Sequence, residues 1–205
     1  MFDYYRKGGE SLEGSTPMQA MEEINEPLDL GDWFKSRLAG YNFSLDPRSS
    51  SKELVRWLRM EEMRALQRRE ESQAYRIVRA AITATLEHCI GIRYDVSLGL
   101  LALFEGHGEL PFHLLSDGQR NTLALVGDLA YKAAHMNPHL GDETLQKVNG
   151  VVLIDEIDLH LHPNWQRHIV NSLRNVFPAV QFIATTHSPF IVQTLREGEL
   201  ISLDK

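Results

Sequence analysis

The fold class is indicated most clearly by the run Val151-Val152-Leu153-Ile154-Asp155-Glu156, in which apolar residues precede two acids. A short β-branched run without polar alternation predicts a strand that is buried on both faces. Residues 182–185 predict a second strand of this kind, and residues 163–177, which begin with a proline and carry apolar side chains every four positions, predict a helix between them. This order predicts an α/β layer in which the two strands are parallel neighbours.

The chain divides into three regions by composition. Residues 1–50 are rich in glycine and proline and predict a loop-rich N-terminal segment. Residues 51–90 contain no glycine or proline and predict a helical insertion, built as two helices or as one helix broken near Ser72. Residues 91–205 contain the α/β lobe. The helical spacing in the second region is carried by Leu54, Trp57, Leu58, Leu66, Ile77, Val78, Ile82 and Leu86.

The start of the third region has the pattern of an antiparallel pair. Residues 92–96 and 100–104 are strand-like pieces, and Gly106, Gly108 and Pro111 after them predict turns. The single cysteine, Cys89, is expected to be a buried small residue in an apolar helix just before these strands.

Charge and composition exclude several classes of protein. The net charge of −7 gives no general attraction to nucleic acid or to an anionic membrane, and no apolar run is long enough to span one. One cysteine cannot form a disulfide framework, so the cytoplasm is the expected location. Residues 52–79 carry a local excess of basic side chains, which makes DNA a candidate partner at this place only.

The two acids after the first strand are candidates for a metal site. A carboxylate at the tip of a buried strand lies at the crevice where open α/β sheets bind their ligands. Asp155 is therefore placed to hold Mg²⁺ and Glu156 to polarise an attacking water. The alternative is that both acids only cap the next turn.

A second candidate site is the start of the helix that follows Leu114-Leu115-Ser116-Asp117-Gly118-Gln119. Ser116 is a good N-cap, Gly118 would let a ligand approach the backbone, and the helix N-terminus offers free N–H groups to a phosphate. The alternative is an ordinary capped helix.

A third candidate is His187, which follows the second predicted strand. If the strands are neighbours, this histidine reaches the same edge as the two acids and can hydrogen-bond a phosphate oxygen or the attacking water. The alternative is a structural role.

The order and spacing of these segments resemble the ABC-type ATPases, read as signature motif, Walker B with catalytic glutamate, and H-loop. More closely, Asp155-Glu156-Ile157-Asp158-Leu159-His160-Leu161-His162-Pro163 with Trp165-Gln166, and later Thr185-Thr186-His187-Ser188-Pro189, resemble the bacterial AAA-type ATPases related to RecF, Rad50 and the overcoming-lysogenization-defect (OLD) nucleases. Predicted ATP-binding proteins of virulence and anti-phage contexts are among them. The resemblance is specific over residues 114–190 and looser over residues 41–66, which resemble the helical insertion of that group.

The resemblance implies a P-loop NTPase-like fold, ATP and Mg²⁺ as cofactors, and a role in DNA repair or anti-phage defence. It implies that Asp155 binds Mg²⁺, that Glu156 is the general base and that His187 senses the γ-phosphate, with residues 157–162 as the D-loop. It further implies a head-to-head homodimer. In this dimer Ser116, Gly118 and Gln119 of one subunit would contact the γ-phosphate of the nucleotide bound by the other subunit.

The sequence also departs from this family. No G-x-x-x-x-G-K-[ST] phosphate-binding loop occurs in the 205 residues. The nearest stretch, residues 9–16, has the glycine spacing, but Ser15 occupies the lysine position and two acids would repel phosphate, so it is predicted to be a surface loop. The chain is therefore expected to be the carboxyl-terminal half of an ATPase head, completed by a P-loop-bearing half or a partner protein.

Two other functions compete with this interpretation. One is a non-catalytic half-head that binds or regulates a partner ATPase, which the missing lysine favours. The other is a metal-dependent hydrolase, because Asp158-x-His160-x-His162 resembles the His-x-His metal pair of amidohydrolase barrels, with His187 as a further ligand.

Overall fold

A computed structural model describes residues 50–203, apart from Glu87, Val96, His107 and His160. The expectations for the loop-rich N-terminal segment, including residues 9–16, lie outside the described residues.

Two helices open the described chain. Helix α1 (Ser50–Arg68) and helix α2 (Gln73–Thr85) are separated at Ser72, which caps α2 by accepting the N–H of Tyr75 at 3.2 Å. The predicted break near Ser72 is therefore confirmed. Leu66 was expected in the apolar stripe, but its side chain is 71% exposed, because the buried face of α1 ends before its last turn.

An antiparallel sheet follows, with strands β1 (Cys89–Asp95), β2 (Gly99–Phe104) and β3 (Gly108–Pro111) in this order. The antiparallel pairing is confirmed, and two expectations are wrong. Cys89 is buried as predicted, but it begins β1 and does not lie in a helix. The expected turn at Gly108 and Pro111 is a third strand, which pairs the backbone groups of β2 that would otherwise form a free edge.

Helix α3 (Asp117–Met136) is the central element of the core, and α1 and α2 both pack on it. Gly127 makes this close packing possible. A Cβ atom at this position would lie 2.5 Å from Cδ2 of Leu54 on α1 and 3.2 Å from Cδ1 of Ile82 on α2. Short 3-10 helices at Phe112–Leu114 and Pro138–Glu143 flank α3, and the short helix α4 (Thr144–Lys147) leads to the second sheet.

The second sheet consists of strands β4 (Gly150–Ile154) and β5 (Val180–Ala184). The strands are parallel, with Ile154 opposite Ala184, and helix α5 (Pro163–Val176) connects them. The predicted strand, helix and strand are thus confirmed. The short helix α6 (Pro189–Val192) follows β5 and packs on α5.

The expected burial of these two strands on both faces is wrong. Ile154 is buried, and Val152 and Phe182 pack against the core. On the opposite face Val151, Leu153 and Ile183 are 59%, 38% and 53% exposed. In the described part of the chain, helices cover only one face of β4 and β5, which explains the difference.

Buried side chains from both sheets and from α1, α2, α3, α5 and α6 belong to one continuous hydrophobic cluster. Helix α2 contacts β1, α3 and α5, so it joins the antiparallel sheet to the helix that connects β4 and β5. No helix in the described part of the chain is both long enough and apolar enough to cross a bilayer.

Candidate functional site at the ends of the parallel strands

The hydrogen bonding of β4 and β5 continues beyond the last strand residues. The N–H of Thr185 donates to the carbonyl of Ile154, and the N–H of Ile157 donates to the carbonyl of Thr185, both at 3.0 Å. The segments after the two strands are therefore held side by side. Asp155 and Glu156 lie between these bonds, at the sheet edge where β5 also ends.

The hydroxyl of Thr185 links the two acids to β5. It donates to Oδ1 of Asp155 at 2.5 Å and accepts the backbone N–H of Glu156 at 2.8 Å. A carboxylate has four acceptor sites, so this single bond orients Asp155 and leaves capacity for another ligand. Carboxylate and hydroxyl oxygens are the hard donors that Mg²⁺ prefers, and one carboxylate is often enough when phosphate and water complete the shell. The residues present therefore fit Mg²⁺.

Glu156 has an unusual backbone conformation. Its φ angle is +51°, in the left-handed region that side chains with a Cβ rarely adopt. Conformations of this kind cost free energy and are concentrated at functional sites, where the surroundings enforce them. The Thr185 hydroxyl, bonded to the Glu156 N–H, is one such constraint.

Asp158 ties the backbone of His187 to the segment after β4. Its Oδ1 accepts the hydroxyl of Thr186 and, at 3.3 Å, the backbone N–H of His187. His187 itself is exposed. The structure thus brings the acids and the histidine to the same sheet edge, as the order of the segments predicted.

Gln166, in the first turns of α5, contacts both segments. Its Nε2 donates to the carbonyl of Leu161 at 2.8 Å and, more weakly, to that of Asp158 at 3.4 Å. Its Oε1 accepts the hydroxyl of Ser188 at 2.6 Å. The roles of Gln166, Thr185 and Thr186 were not predicted from the sequence. For the two threonines a signal exists, because polar side chains directly after a strand can bond the neighbouring segment. Gln166 lies in α5, away from both strand ends, and carries no such signal.

The Ser116 group forms the start of α3. Ser116 is the N-cap: its Oγ accepts the N–H of Gln119 at 3.3 Å, while Oε1 of Gln119 accepts the N–H of Ser116 at 3.0 Å. This reciprocal capping box confirms the predicted helix start.

Gly118 is buried, and the side on which a Cβ would project faces Trp165. A Cβ there would lie 3.0 Å from Cδ1 of the indole. The absence of a side chain at Gly118 therefore lets Trp165, in the first turn of α5, pack closely against the start of α3. This contact connects the start of α3 with the helix that follows the candidate site.

The residues of the metal-hydrolase alternative have other partners where they are described. Nδ1 of His162 accepts the N–H of Asn164 at 3.3 Å and so caps α5. Asp158 is bonded to the segment after β5, and His160 lies outside the described residues. Among the residues that the structure does describe, His, Cys, Asp and Glu side chains form no group of three that could hold a metal ion.

A parallel strand pair backed by helices, with paired acids and a histidine at its carboxyl edge, corresponds to the ABC-class AAA-type ATPase fold. The sequence model of the family described as "AAA domain, putative AbiEii toxin, Type IV TA system" matches residues 40–193, and the chain belongs to this family. The resemblance and the α/β fold class predicted from the sequence are thereby confirmed.

Several curated proteins are similar to parts of this chain. The "Retron Vc95 probable ATPase" of Vibrio cholerae serotype O1 biovar El Tor is 42% identical over 100 residues, which are 49% of this chain and 19% of that protein. The "Septu protein PtuA" of Bacillus thuringiensis is 38% identical over 97 residues, 47% of this chain and 24% of that protein. The chain therefore spans a quarter or less of the length of these relatives.

Among solved structures, the SMC head domain from Thermotoga maritima matches with a TM-score of 0.41 and 16% identity. The match covers 73% of this chain and 48% of that one.

Proposed function

We propose that this chain is part of an ATPase that binds ATP with Mg²⁺ and hydrolyses it. The observation that carries the proposal is the shared edge of β4 and β5, where the Thr185 hydroxyl bonds Asp155 and the backbone of Glu156, and Asp158 bonds the backbone of His187. Membership of an AAA family and the name of the retron relative, a probable ATPase, support it.

Each residue of the edge has a separate task in this proposal. Asp155 holds the Mg²⁺ ion, which when bound would neutralise charge on the phosphates. Glu156 accepts the proton of the attacking water, and the His187 ring donates a hydrogen bond to the γ-phosphate. The bonds from Thr185 and Asp158 keep these groups in fixed positions, which is the main contribution a protein makes to phosphoryl transfer.

The second part of the proposal concerns assembly. Ser116, Gln119 and the backbone of Gly118, whose other side is covered by Trp165, would meet the γ-phosphate of nucleotide bound by another subunit, in a head-to-head homodimer with ATP at the interface. The capped helix start supports this, because a helix N-terminus attracts anions. A P-loop-bearing half or partner protein would supply the phosphate cradle that is missing from the 205 residues.

The biological setting of the proposed ATPase has two parts. We place it in the cytoplasm, because the chain has a single cysteine, and in DNA repair or anti-phage defence, as the family resemblance implies. DNA is a candidate partner for the basic stretch at residues 52–79. Ion pairs of Arg64 with Glu61 and of Arg79 with Glu71 already satisfy part of its positive charge.

The test is Mg²⁺-dependent release of phosphate from ATP, measured for the 205-residue chain alone and after addition of a P-loop-bearing segment. We expect little activity alone and clear activity in the mixture. Glu156→Gln should abolish turnover and preserve ATP binding, because the amide cannot accept the proton from water. Glu197→Gln is the matched control, since this exposed glutamate lies outside the site.

Equal hydrolysis by Glu156→Gln and the unchanged chain would contradict the assignment of the general base. Binding of ATP without hydrolysis by the mixture would favour the non-catalytic half-head instead.

A further inference from the structure

Two short segments carry the candidate site, and one side chain from a helix lies between them. The β4 loop (residues 155–162) contains the two acids, and the β5 loop (residues 185–188) contains His187. Gln166, on α5, is hydrogen-bonded to the carbonyls of Leu161 and Asp158 in the first loop and to the Ser188 hydroxyl in the second.

An amide side chain suits this position chemically. The β4 loop presents carbonyl oxygens, which only accept hydrogen bonds, so the partner must be a donor, and the two N–H groups of the amide meet this need. The Ser188 Oγ already accepts the N–H of Phe190 at 3.1 Å, and its single proton is directed to Gln166. Ser188 is only 6% exposed, so water has little access to replace this bond. Glutamate lacks the N–H groups, and methionine lacks both functions.

The bonds of Gln166 lead directly to the site. Asp158, whose carbonyl faces Gln166, also accepts the backbone N–H of His187 through its carboxylate. Ser188 is the next residue after His187. Fixing Asp158 and Ser188 on one side chain therefore fixes the separation of the β4 loop, with Glu156, from the β5 loop, with His187.

We propose that Gln166 is a positioning residue that clamps the β4 loop to the β5 loop and so sets the distance between Glu156 and His187. This role rests on the proposed ATPase function. Gln166 itself touches neither substrate nor metal. Its loss should therefore impair the geometry of the chemical step while leaving nucleotide binding in place.

The first arm of the test measures ATP hydrolysis by the completed protein for Gln166→Met, Ser188→Ala and the double variant. We expect kcat to fall about tenfold or more, since small misplacements of reacting groups have effects of this order. KM for ATP should stay within about twofold of its value in the unchanged protein. General destabilisation would not lower kcat while leaving KM unchanged in this way. The double variant should have a kcat no lower than that of Gln166→Met, because both changes break the Gln166–Ser188 bond, and the other bond that Ser188→Ala removes, from the Phe190 N–H, caps α6 outside the two loops. Gln193→Met, at an exposed glutamine outside the site, is the control.

The second arm does not depend on ATPase activity. Hydrogen exchange of the 205-residue chain reports the backbone amides of Ile157, Thr185 and His187. The amides of Ile157 and His187 bond from one loop to the other, and that of Thr185 bonds to the carbonyl of Ile154 at the end of β4. We expect their exchange to accelerate in Gln166→Met and in Ser188→Ala, with amides of β1 and β2 unchanged. Gln193→Met should match the unchanged chain throughout.

The outcomes separate the two proposals. If the completed protein hydrolyses ATP and Gln166→Met does so at the same rate, the clamp is refuted and the ATPase function stands. If no hydrolysis is found, the ATPase function falls, and the clamp is decided by exchange. Unchanged exchange of the loop amides in both Gln166→Met and Ser188→Ala would overturn it.

Discussion

The left-handed backbone conformation of Glu156 lowers the stability of the fold at the residue that is the candidate general base. Relieving this conformation with glycine gains about 1–2 kcal/mol. Glycine loses more chain entropy on folding, which costs roughly 0.5–1 kcal/mol. We therefore expect Glu156→Gly to raise the free energy of unfolding by about 0.5–1 kcal/mol while it removes the candidate base. Urea denaturation checks the stability.

Glu156→Ala is the matched control for this prediction. Alanine also removes the carboxylate, but it keeps the Cβ that makes the left-handed conformation unfavourable. It should give no gain in stability. An equal gain from both variants would show that the carboxylate, and not the backbone, is the source of the strain.

His135 is the partly buried titratable group with the clearest consequence for pH. Its ring packs on Tyr131, with centroids 4.1 Å apart, and on Trp57 at 5.8 Å. Burial lowers the pKa of His135 below its ordinary value near 6.5, against the opposing effects of its hydrogen bond to the Tyr131 carbonyl and of the Glu61 charge. The folded state therefore favours the neutral imidazole.

Stability should fall as the pH drops below about 6.5, because the unfolded chain then binds a proton that folded His135 resists. One such group contributes a slope of no more than about 1.4 kcal/mol per pH unit. In His135→Phe, which keeps an aromatic ring in place, the loss of unfolding free energy between pH 7 and pH 5.5 should be smaller. Parallel curves for both proteins would refute the assignment of this pH dependence to His135.

At the scale of single residues, the sequence predicted which groups reach the sheet edge and missed what holds them. Asp155, Glu156 and His187 could be placed because each lies within two residues of the end of a predicted strand. The contacts of Thr185 and Gln166 could not, since they depend on side-chain directions across two segments. The cover of Gly118 by Trp165 depends on how α3 and α5 pack, which spacing within either helix does not specify.

At the scale of elements, the three-helix contact at Gly127 gives the sharpest stability prediction. Gly127→Val would force a branched side chain into Leu54 and Ile82, and overpacking of this kind costs about 1–3 kcal/mol. Gly150→Val is the control, because no atom lies within 4 Å of a Cβ built there. Chemical denaturation should show the loss at position 127 only. Similar losses at both positions would point to a general effect of valine.

Elements were predictable where periodicity was strong and failed where tertiary context decides. The break at Ser72 and helix α5 follow from local spacing and capping, which the chain carries in its own sequence. Strand β3 contains a glycine and a proline, and it exists because β2 offers it an edge to pair with. The exposed face of β4 and β5 was missed because an apolar run does not reveal which of its faces a neighbouring layer covers.

At the scale of the whole molecule, the proposed dimer makes a testable demand on Ser116. In the reconstituted protein, Ser116→Arg should block ATP-driven dimerisation, because it puts a bulky side chain where the γ-phosphate must lie. Loss of the N-cap costs about 1 kcal/mol, too little to unfold the domain. Mass by light scattering, with and without ATP, is the measurement. Hydrolysis by a strict monomer that Ser116→Arg does not affect would refute the dimer.

The single cysteine, Cys89, can report transient opening of the fold without any added label site. The Cys89 thiol is buried at the start of β1, and burial raises its pKa, so a thiol reagent meets little reactive thiolate in the closed protein. Labelling must wait until the antiparallel sheet separates from the helices. The rate at which the thiol reagent labels Cys89 in the unaltered chain therefore measures how often these openings occur. A ligand that stabilises the whole domain will slow the labelling of Cys89, and a ligand that stabilises only the β4 and β5 loops will leave the labelling rate unchanged.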